Sequence, residues 1–314
     1  MGAIGFTNVI ASDKYAYFPA LGWLLLLAAG LGRLWDWCGQ TDLGRNLRRL
    51  LPVAVVGLML VQIRATRGQL ALWANSETLG RHMLALAPYS PIVHNALAGE
   101  LLRSGRLDEA ARHCREALRF HPQDHKAHTN LGNILAMQQR WEEAVAHLEE
   151  AARLKPDYDP AYNGLGAALA DQGKLDEAIP HFERALAINP HNADACCNLG
   201  NVLAARGRLE EAASRFAQAI GLRHNFPEAH NNLANVLWAL GKPEQAIPHY
   251  REAIRLKPAL ADAYYNLARL LASMGRHAEA AEALRSGLRQ VPGDARLIAG
   301  LRTLQPPRSA TSQP

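Results

Sequence analysis

Residues 159–192 read DPAYNGLGAALADQGKLDEAIPHFERALAINPHN, and the next block, 193–226, reads ADACCNLGNVLAARGRLEEAASRFAQAIGLRHNF. The two blocks carry apolar, small and acidic residues at matching positions. Internal similarity at a fixed period of about 34 residues indicates an array of stacked helical units. The same spacing separates a series of prolines, with a histidine at one step: Pro88, Pro122, Pro156, Pro190, His224, Pro258 and Pro292.

Each block predicts a pair of short helices. In the first helix, apolar residues recur at helical spacing, as at Tyr162, Leu165 and Leu169. A glycine such as Gly173 then ends that helix, because glycine readily adopts the left-handed conformation found there. Only the second unit departs from this pattern, with Gln139 at the glycine position. Acidic residues open the second helix, where negative charge suits the helix dipole.

Six intact units run without insertion from Pro91 to Asp294. A linker helix or half-repeat is expected within 65–90, and a capping helix over 295–305, since a stacked array must cover its last apolar face. A disordered tail is expected over 306–314, which is rich in proline and small polar residues. The predicted units are 91–124, 125–158, 159–192, 193–226, 227–260 and 261–294.

Small residues recur where helices must approach closely, and larger residues lie between them. This pattern resembles the tetratricopeptide repeat (TPR) family, over about two-thirds of the chain. The resemblance implies an all-α, right-handed superhelical solenoid of six helical hairpins plus a capping helix, with a concave groove lined by the first helices. In the third unit the matching residues are Leu165, Gly166, Ala178, Phe182, Ala185 and Pro190.

The face of the first helices opposite the core carries asparagine in most units. Asparagine is a poor residue for a helix interior, so its recurrence at the period of the array suggests a function. Side-chain amides both donate and accept, so a row of them can bind an extended polypeptide backbone without reading its sequence. The row resembles the asparagine ladder in the repeats of O-GlcNAc transferases. The candidate groove residues are Asn130, Asn133, Asn163, Asn198, Asn201, Asn231, Asn232, Asn235 and Asn266.

Two alternatives for the groove stay open. In the first, the row only solvates the groove, because asparagine is common in this repeat family. Gly164 and Ala96 interrupt the row, which weakens the ladder interpretation. A carboxylate clamp of the kind found in chaperone-binding relatives needs several cations in the groove. The matching positions offer mainly Lys126, Arg103 and Arg269, which are set far apart.

Neither a cofactor nor a metal site is expected. The four cysteines lack CxxC spacing and are interpreted as small buried residues. No Ser-His-Asp order, paired carboxylate or phosphate loop stands out, so we expect neither an enzyme nor a small-molecule substrate. A net charge of +5 without a basic stripe argues against nucleic acid. Histidines recur at one position of the second helices and are interpreted as a solvated face, because zinc needs three or four ligands around one point: His113, His147, His181 and His249.

The segment 1–64 predicts one or two transmembrane helices before the repeats. Tyr15–Gly32 is uncharged and reaches the lower limit of about 17 residues for a spanning helix. Leu50–Ile63 is shorter and is flanked by arginines that can snorkel, although a buried helix is the alternative there. The predicted spans are about 15–35 and 50–65. The connector between the spans has more cationic residues than the segment before them, which has only Lys14, so the positive-inside rule predicts a cytoplasmic connector. The repeats would then lie outside the cytoplasm, attached to the inner membrane if the source is bacterial.

The stretch ASDKYAYFPALG over 11–22 resembles a segment of polytopic membrane mannosyltransferases that carry such repeats at their C-terminus. Lys14 stands where arginine is more usual, and Ala20 where serine is. The resemblance implies that this chain is the tail of such a protein, with repeats that bind the acceptor protein. It does not make the chain an enzyme, because the acidic catalytic loop of that family precedes this segment.

Three functional hypotheses follow. The first is a membrane-anchored, non-catalytic scaffold that binds proteins or extended peptides in its groove. The second is the C-terminal fragment of a membrane glycosyltransferase of the protein O-mannosyltransferase type. The third is a soluble assembly factor for pilus or secretion machinery.

Overall fold

The computed structural model describes residues 76–304, together with the single residues Gly30, Arg33, Asp36 and Val56. Within 76–304 the chain forms helices joined by short turns, with no strand. The predicted transmembrane segments, about 15–35 and 50–65, and the predicted tail over 306–314 fall outside this continuous stretch. Among the described residues, no helix combines the length and the apolar character that a bilayer-spanning helix needs.

The helices fall into two compact units, divided after Pro122. The first unit contains α1 (Ser76–Leu86), α2 (Pro91–Arg103) and α3 (Leu107–Phe120). The second contains α4 (His125–Met137), α5 (Trp141–Leu154), α6 (Asp159–Asp171), α7 (Leu175–Ile188), α8 (Ala193–Ala205), α9 (Leu209–Leu222), α10 (Pro227–Ala239), α11 (Pro243–Leu256), α12 (Ala261–Ser273), α13 (His277–Gln290) and α14 (Ala295–Leu304). Helices α2 to α13 pair in order into hairpins 1 to 6.

Side-chain caps begin several of these helices. The carboxylate of Asp124 accepts hydrogen bonds from the backbone N–H groups of Lys126 and Ala127, and Asn192 accepts from Ala195. Such caps satisfy backbone donors that the first helical turn leaves without a partner. They fix the residue at which the first helix of a hairpin begins.

The turn inside each hairpin requires a left-handed residue. Glycine occupies this position with φ between 72° and 81° in five hairpins. Gln139 takes the same conformation at φ 60°, the one non-glycine residue with positive φ in the part of the chain that the structure describes. Hairpin 2 therefore keeps the shared geometry at the expense of backbone strain.

Close packing inside hairpins 3 and 4 pairs a glycine with a phenylalanine. A Cβ built on Gly200 of α8 would lie 2.8 Å from the ring of Phe216 on α9, and the same holds for Gly166 and Phe182. Both phenylalanines are 1% exposed. Because the glycines carry no side chain, the aromatic rings can fill the hairpin interior.

Within the second unit the hairpins stack on their neighbours. Each second helix contacts the first helix of the next hairpin, and first helices of adjacent hairpins also contact each other. Helix α14 packs on both α12 and α13, and its Leu297 is fully buried. The prediction of an all-α solenoid of stacked hairpins is confirmed. We call the side of α4, α6, α8, α10 and α12 that carries Asn130, Asn163, Asn198, Asn232 and Asn266 the first-helix face.

Candidate functional site

Asparagine amides on the first-helix face bind one another between hairpins. The Nδ2 group of Asn198 in α8 donates to Oδ1 of Asn163 in α6, at 3.1 Å. The Nδ2 group of Asn266 in α12 donates to Oδ1 of Asn231 in α10 at 3.2 Å. In both pairs the sixth residue of one hairpin meets the fifth residue of the hairpin before it. The repeat register therefore places these two pairs at equivalent positions.

A continuous row results across three hairpins. Asn232 donates from Nδ2 to Oδ1 of Asn201 at 2.8 Å, and Asn231 donates to Asn232 at 3.1 Å. Asn266 bonds to Asn231, so the row runs from Asn266 through Asn231 and Asn232 to Asn201. We call this row, together with the pair formed by Asn198 and Asn163, the amide ladder.

The ladder keeps hydrogen-bonding capacity for a ligand. A side-chain amide carries two N–H donors and an oxygen with two lone pairs. One bond between neighbouring hairpins uses one donor of one residue and one lone pair of the other. Asn201 is exposed, Asn232 and Asn266 are half-buried, and Asn231 is 7% exposed. The amides are thus held in place while most of them still reach solvent.

Asn235 has a different role from the residues of the ladder. Its Oδ1 accepts a hydrogen bond from the hydroxyl of Tyr250 at 2.6 Å. Tyr250 is fully buried on α11, and burial raises the pKa of its phenol well above the ordinary value. Asn235 therefore satisfies a buried hydroxyl of its own hairpin.

At the start of the second unit, Asn130 and Asn133 lie half-buried on α4. Gly164 of α6 faces Asn133 so closely that a Cβ there would lie 2.7 Å from its Oδ1 atom and 2.6 Å from Leu148. Gly164 was expected to interrupt the row; it brings no amide to α6 at this position, and its missing side chain makes room for Asn133. Ala96, the other expected interruption, is exposed on α2 in the first unit.

The three cationic residues considered for a carboxylate clamp lie in different environments. Arg103 pairs with Glu100 on its own helix in the first unit. Lys126 is exposed at the start of α4. Arg269 on α12 lies against the rings of Trp238 and Tyr265. Only Arg269 lies at the hairpin position that Asn201 and Asn235 occupy.

The second-helix histidines are not a solvated face, which corrects the interpretation from sequence. They are half-buried, and three of them pair with a histidine on the first helix of the same hairpin. The residues of each pair are 19 apart in sequence, a spacing that could have revealed them. The Nδ1 atoms are 2.9 Å apart in His94–His113, 3.0 Å in His128–His147 and 3.2 Å in His230–His249.

Burial disfavours the charged form of three of these histidines. It is the largest cause of the lowered pKa of His113, His230 and His249, and a second histidine adds to the effect for His113 and His249. Within the described residues no three His, Cys, Asp or Glu side chains gather to hold a metal ion. The pairs are two-residue contacts inside hairpins.

The described cysteines are buried free thiols, as interpreted from the sequence. Cys114, Cys196 and Cys197 all lie in the core, and burial raises the pKa of Cys197 to about 12. A thiol with so high a pKa is a poor nucleophile at neutral pH. Cys38 lies outside the described residues.

Four family models match the chain end to end across the hairpins. Each is described as a tetratricopeptide repeat, and the matched residues are 91–134, 123–190, 169–236 and 231–295. Together they cover all six hairpins. The match starts at Pro91 and extends to the first residue of α14.

A curated relative and two solved structures resemble parts of the chain. Protein O-mannosyl-transferase TMTC1 of Homo sapiens is 32% identical over 117 residues, which are 36% of this chain and 12% of that protein. The chain thus matches only a small share of this relative's length. The APC/C hetero-tetramer Cut9–Hcn1 aligns with a TM-score of 0.65 and 17% identity, over 73% of this chain and 45% of that one. The type IV pilus biogenesis factor PilW aligns with a TM-score of 0.61 and 21% identity, over 67% of this chain and 98% of that one. These two structures share the fold.

Proposed function

Because this chain belongs to the tetratricopeptide repeat family, we propose that it is a non-catalytic scaffold that binds an extended polypeptide along its first-helix face. The observation that carries this proposal is the amide ladder, in which Asn198, Asn232 and Asn266 each donate to an asparagine of the preceding hairpin. Each side-chain amide both donates and accepts, as the N–H and C=O groups of an extended backbone require.

Preorganisation supports this function. An asparagine side chain held by a neighbour has already lost part of its rotamer freedom, so binding a ligand costs less ordering entropy. The ladder is also set on helices, which position side chains more accurately than loops do. We therefore expect affinity for polypeptide backbone in general, with little selection by sequence from the amides.

A triple replacement tests the ladder. The variant Asn198→Ala, Asn232→Ala and Asn266→Ala of the full chain should bind extended peptides at least about tenfold more weakly, which corresponds to about 1.4 kcal/mol. Fluorescence anisotropy with labelled unstructured peptides measures the affinity. Circular dichroism should show unchanged helix content, since alanine has the higher helix propensity.

The matched control removes three polar side chains from the second helices: Ser214→Ala, Gln218→Ala and Gln245→Ala. All three residues are exposed on α9 or α11. The control should bind like the parent chain. Unchanged peptide affinity in the ladder variant would show that these amides do not bind the peptide.

A second candidate function is favoured by the likeness to protein O-mannosyl-transferase TMTC1. Here the same face would hold the acceptor protein for a membrane glycosyltransferase, of which this chain would be a C-terminal fragment. The resemblance of residues 11–22 to a membrane segment of such enzymes supports it. An in-frame extension upstream of Met1, or an adjacent gene for a protein with many membrane spans, is expected; neither being present counts against this candidate.

The apolar segments within 1–64 support membrane anchoring, with the repeats outside the cytoplasm. Extraction of membranes with alkaline carbonate should leave an anchored chain in the pellet. Protease added to intact spheroplasts of a bacterial host should digest the repeats. Release by carbonate would instead favour the soluble assembly factor, and full protection from protease would place the repeats inside.

A further inference from the structure

Arg269 on α12 is stacked against two aromatic rings at the C-terminal end of the first-helix face. Its Cζ atom lies 5.4 Å from the ring centroid of Trp238 and 5.8 Å from that of Tyr265. Tyr265 lies one turn earlier on the same helix, and Trp238 belongs to the preceding hairpin. The guanidinium therefore contacts one ring of its own hairpin and one ring of the preceding hairpin.

Contact with the rings leaves the N–H donors of the guanidinium available. Neither ring contact is a hydrogen bond, and within residues 76–304 the N–H groups of Arg269 donate to no side chain. Arg269 is exposed, whereas Trp238 and Tyr265 are half-buried. An arginine held in this way has lost part of its side-chain entropy before a ligand arrives.

The charge of Arg269 is not neutralised by a carboxylate within residues 76–304, where no ion pair involves it. The acidic residues near the starts of the neighbouring first helices bind other cations: Asp194 bonds to Arg223, and Glu228 bonds to Lys257, at 2.7 Å and 2.8 Å. On α12 itself, Asp262 pairs with Arg296. Positive charge is thus left at this end of the face.

The ladder leads to this cation. Asn266 lies one turn before Arg269 on α12 and donates to Asn231 on α10. A backbone that follows the amides from Asn201 toward Asn266 reaches Arg269 next. One fixed cation beside a row of amides suits a single anionic side chain, because a clamp for a chain terminus draws on several cations.

We propose that Arg269 binds the carboxylate of one aspartate or glutamate side chain within the guest polypeptide, and so sets the register of that polypeptide on the ladder. This inference rests on the proposed function. The amides supply affinity without sequence preference, and the bidentate pairing of guanidinium with carboxylate supplies a preference at one position.

Three peptides of equal length and one neutral, unstructured sequence provide the test with the full chain. The first is acetylated and amidated, the second carries one internal glutamate, and the third keeps a free C-terminal carboxylate. The glutamate peptide should bind about tenfold more tightly than the first, since a hydrogen bond between guanidinium and carboxylate is charge-assisted. The third should bind like the first.

Arg269→Gln should abolish the preference for the glutamate peptide and keep the affinity for the neutral one, which also shows that the variant folds. Arg184→Gln is the matched control, because Arg184 is an exposed arginine on α7 whose Cζ atom lies 5.8 Å from the ring of Tyr162. This control should retain the preference.

Equal binding of the neutral and glutamate peptides by the parent chain would overturn the inference and leave the proposed function standing. A preference that survives in Arg269→Gln, or one shown only for the free C-terminus, would overturn it as well. Binding of none of the three peptides would overturn the proposed function together with the inference.

Discussion

The Nδ1 atoms of His230 and His249 face each other at 3.2 Å between the two helices of hairpin 5. In the equivalent pair, Nε2 of His94 lies 3.0 Å from the carbonyl oxygen of Pro88. That nitrogen must carry a proton to donate, so in the neutral ring Nδ1 of His94 accepts from Nδ1–H of His113. Both rings are needed in defined neutral tautomers, and a doubly protonated pair would have no acceptor.

We therefore predict that acid destabilises hairpin 5 through the pair formed by His230 and His249. Burial lowers the pKa of His230 and His249, so their contribution to the free energy of unfolding is complete above the ordinary histidine pKa of about 6.5 and is lost as the pH falls through the lowered values. The double variant His230→Tyr with His249→Ala copies the residues of hairpin 6, Tyr264 and Ala283.

Melting temperatures followed by circular dichroism between about pH 8 and pH 5 check this prediction. On acidification the melting temperature of the parent chain should fall further than that of the double variant. The difference should be about 2–4 °C for each kcal/mol of differential stability. His277→Gln, at an exposed histidine, is the control and should behave like the parent. Equal acid sensitivity of the double variant and the parent would contradict the role of the pair.

Gln139→Gly should stabilise hairpin 2. Gln139 has φ 60°, where the Cβ atom costs about 1–2 kcal/mol, and glycine avoids most of this cost. Part of the gain is offset by the greater freedom of glycine in the unfolded chain, so we expect about 1 kcal/mol net. Urea denaturation measures it. Gly173→Gln at φ 81° should lower stability by a similar amount, and a gain there would contradict the argument.

Gly200→Ala should destabilise hairpin 4. The new Cβ would lie 2.8 Å from the Phe216 ring, and overpacking costs about 1–3 kcal/mol, against about 1 kcal/mol returned by helix propensity. Adding Phe216→Leu should restore stability, because hairpin 6 combines Ala268 with Leu284 at these positions. Thermal unfolding compares the three chains. A double variant less stable than Gly200→Ala alone would disagree with this packing explanation.

Asn235→Ala should destabilise the fold more than Tyr250→Phe does. The phenylalanine variant loses one hydrogen bond, about 1 kcal/mol, whereas the alanine variant leaves a fully buried hydroxyl without its acceptor, about 1–3 kcal/mol. Combining the two changes should recover part of the loss. Urea denaturation of the single and double variants forms the cycle, and strict additivity would mean that the two groups do not interact.

The fold class follows from the sequence because its determinants are local. Apolar residues at helical spacing, as at Leu165 and Leu169, and a left-handed glycine such as Gly173 lie within one hairpin. Stacking then repeats one interface, so a regular period is enough to predict it. Gln139 shows that the geometry is kept even where the expected residue is missing.

The details of the site depend on neighbouring hairpins and were harder to predict. The face that carries Asn198 follows from helix geometry, but its bond to Asn163 depends on how closely two first helices approach. The close approach of Gly164 to Asn133 lies between two hairpins, so the residues of one hairpin could not predict it. The stacking of Arg269 on Trp238 likewise joins residues of different hairpins.

The register of the amide pairs has a consequence for how such a chain can change length. The sixth residue of one hairpin bonds to the fifth of the preceding hairpin in two separate places, Asn198 to Asn163 and Asn266 to Asn231. Excision of 193–226 would bring Asn232, also a sixth residue, opposite Asn163. Deletion of this one block would therefore shorten the bound stretch of a guest by one hairpin while a sixth-to-fifth asparagine pair forms at the new junction.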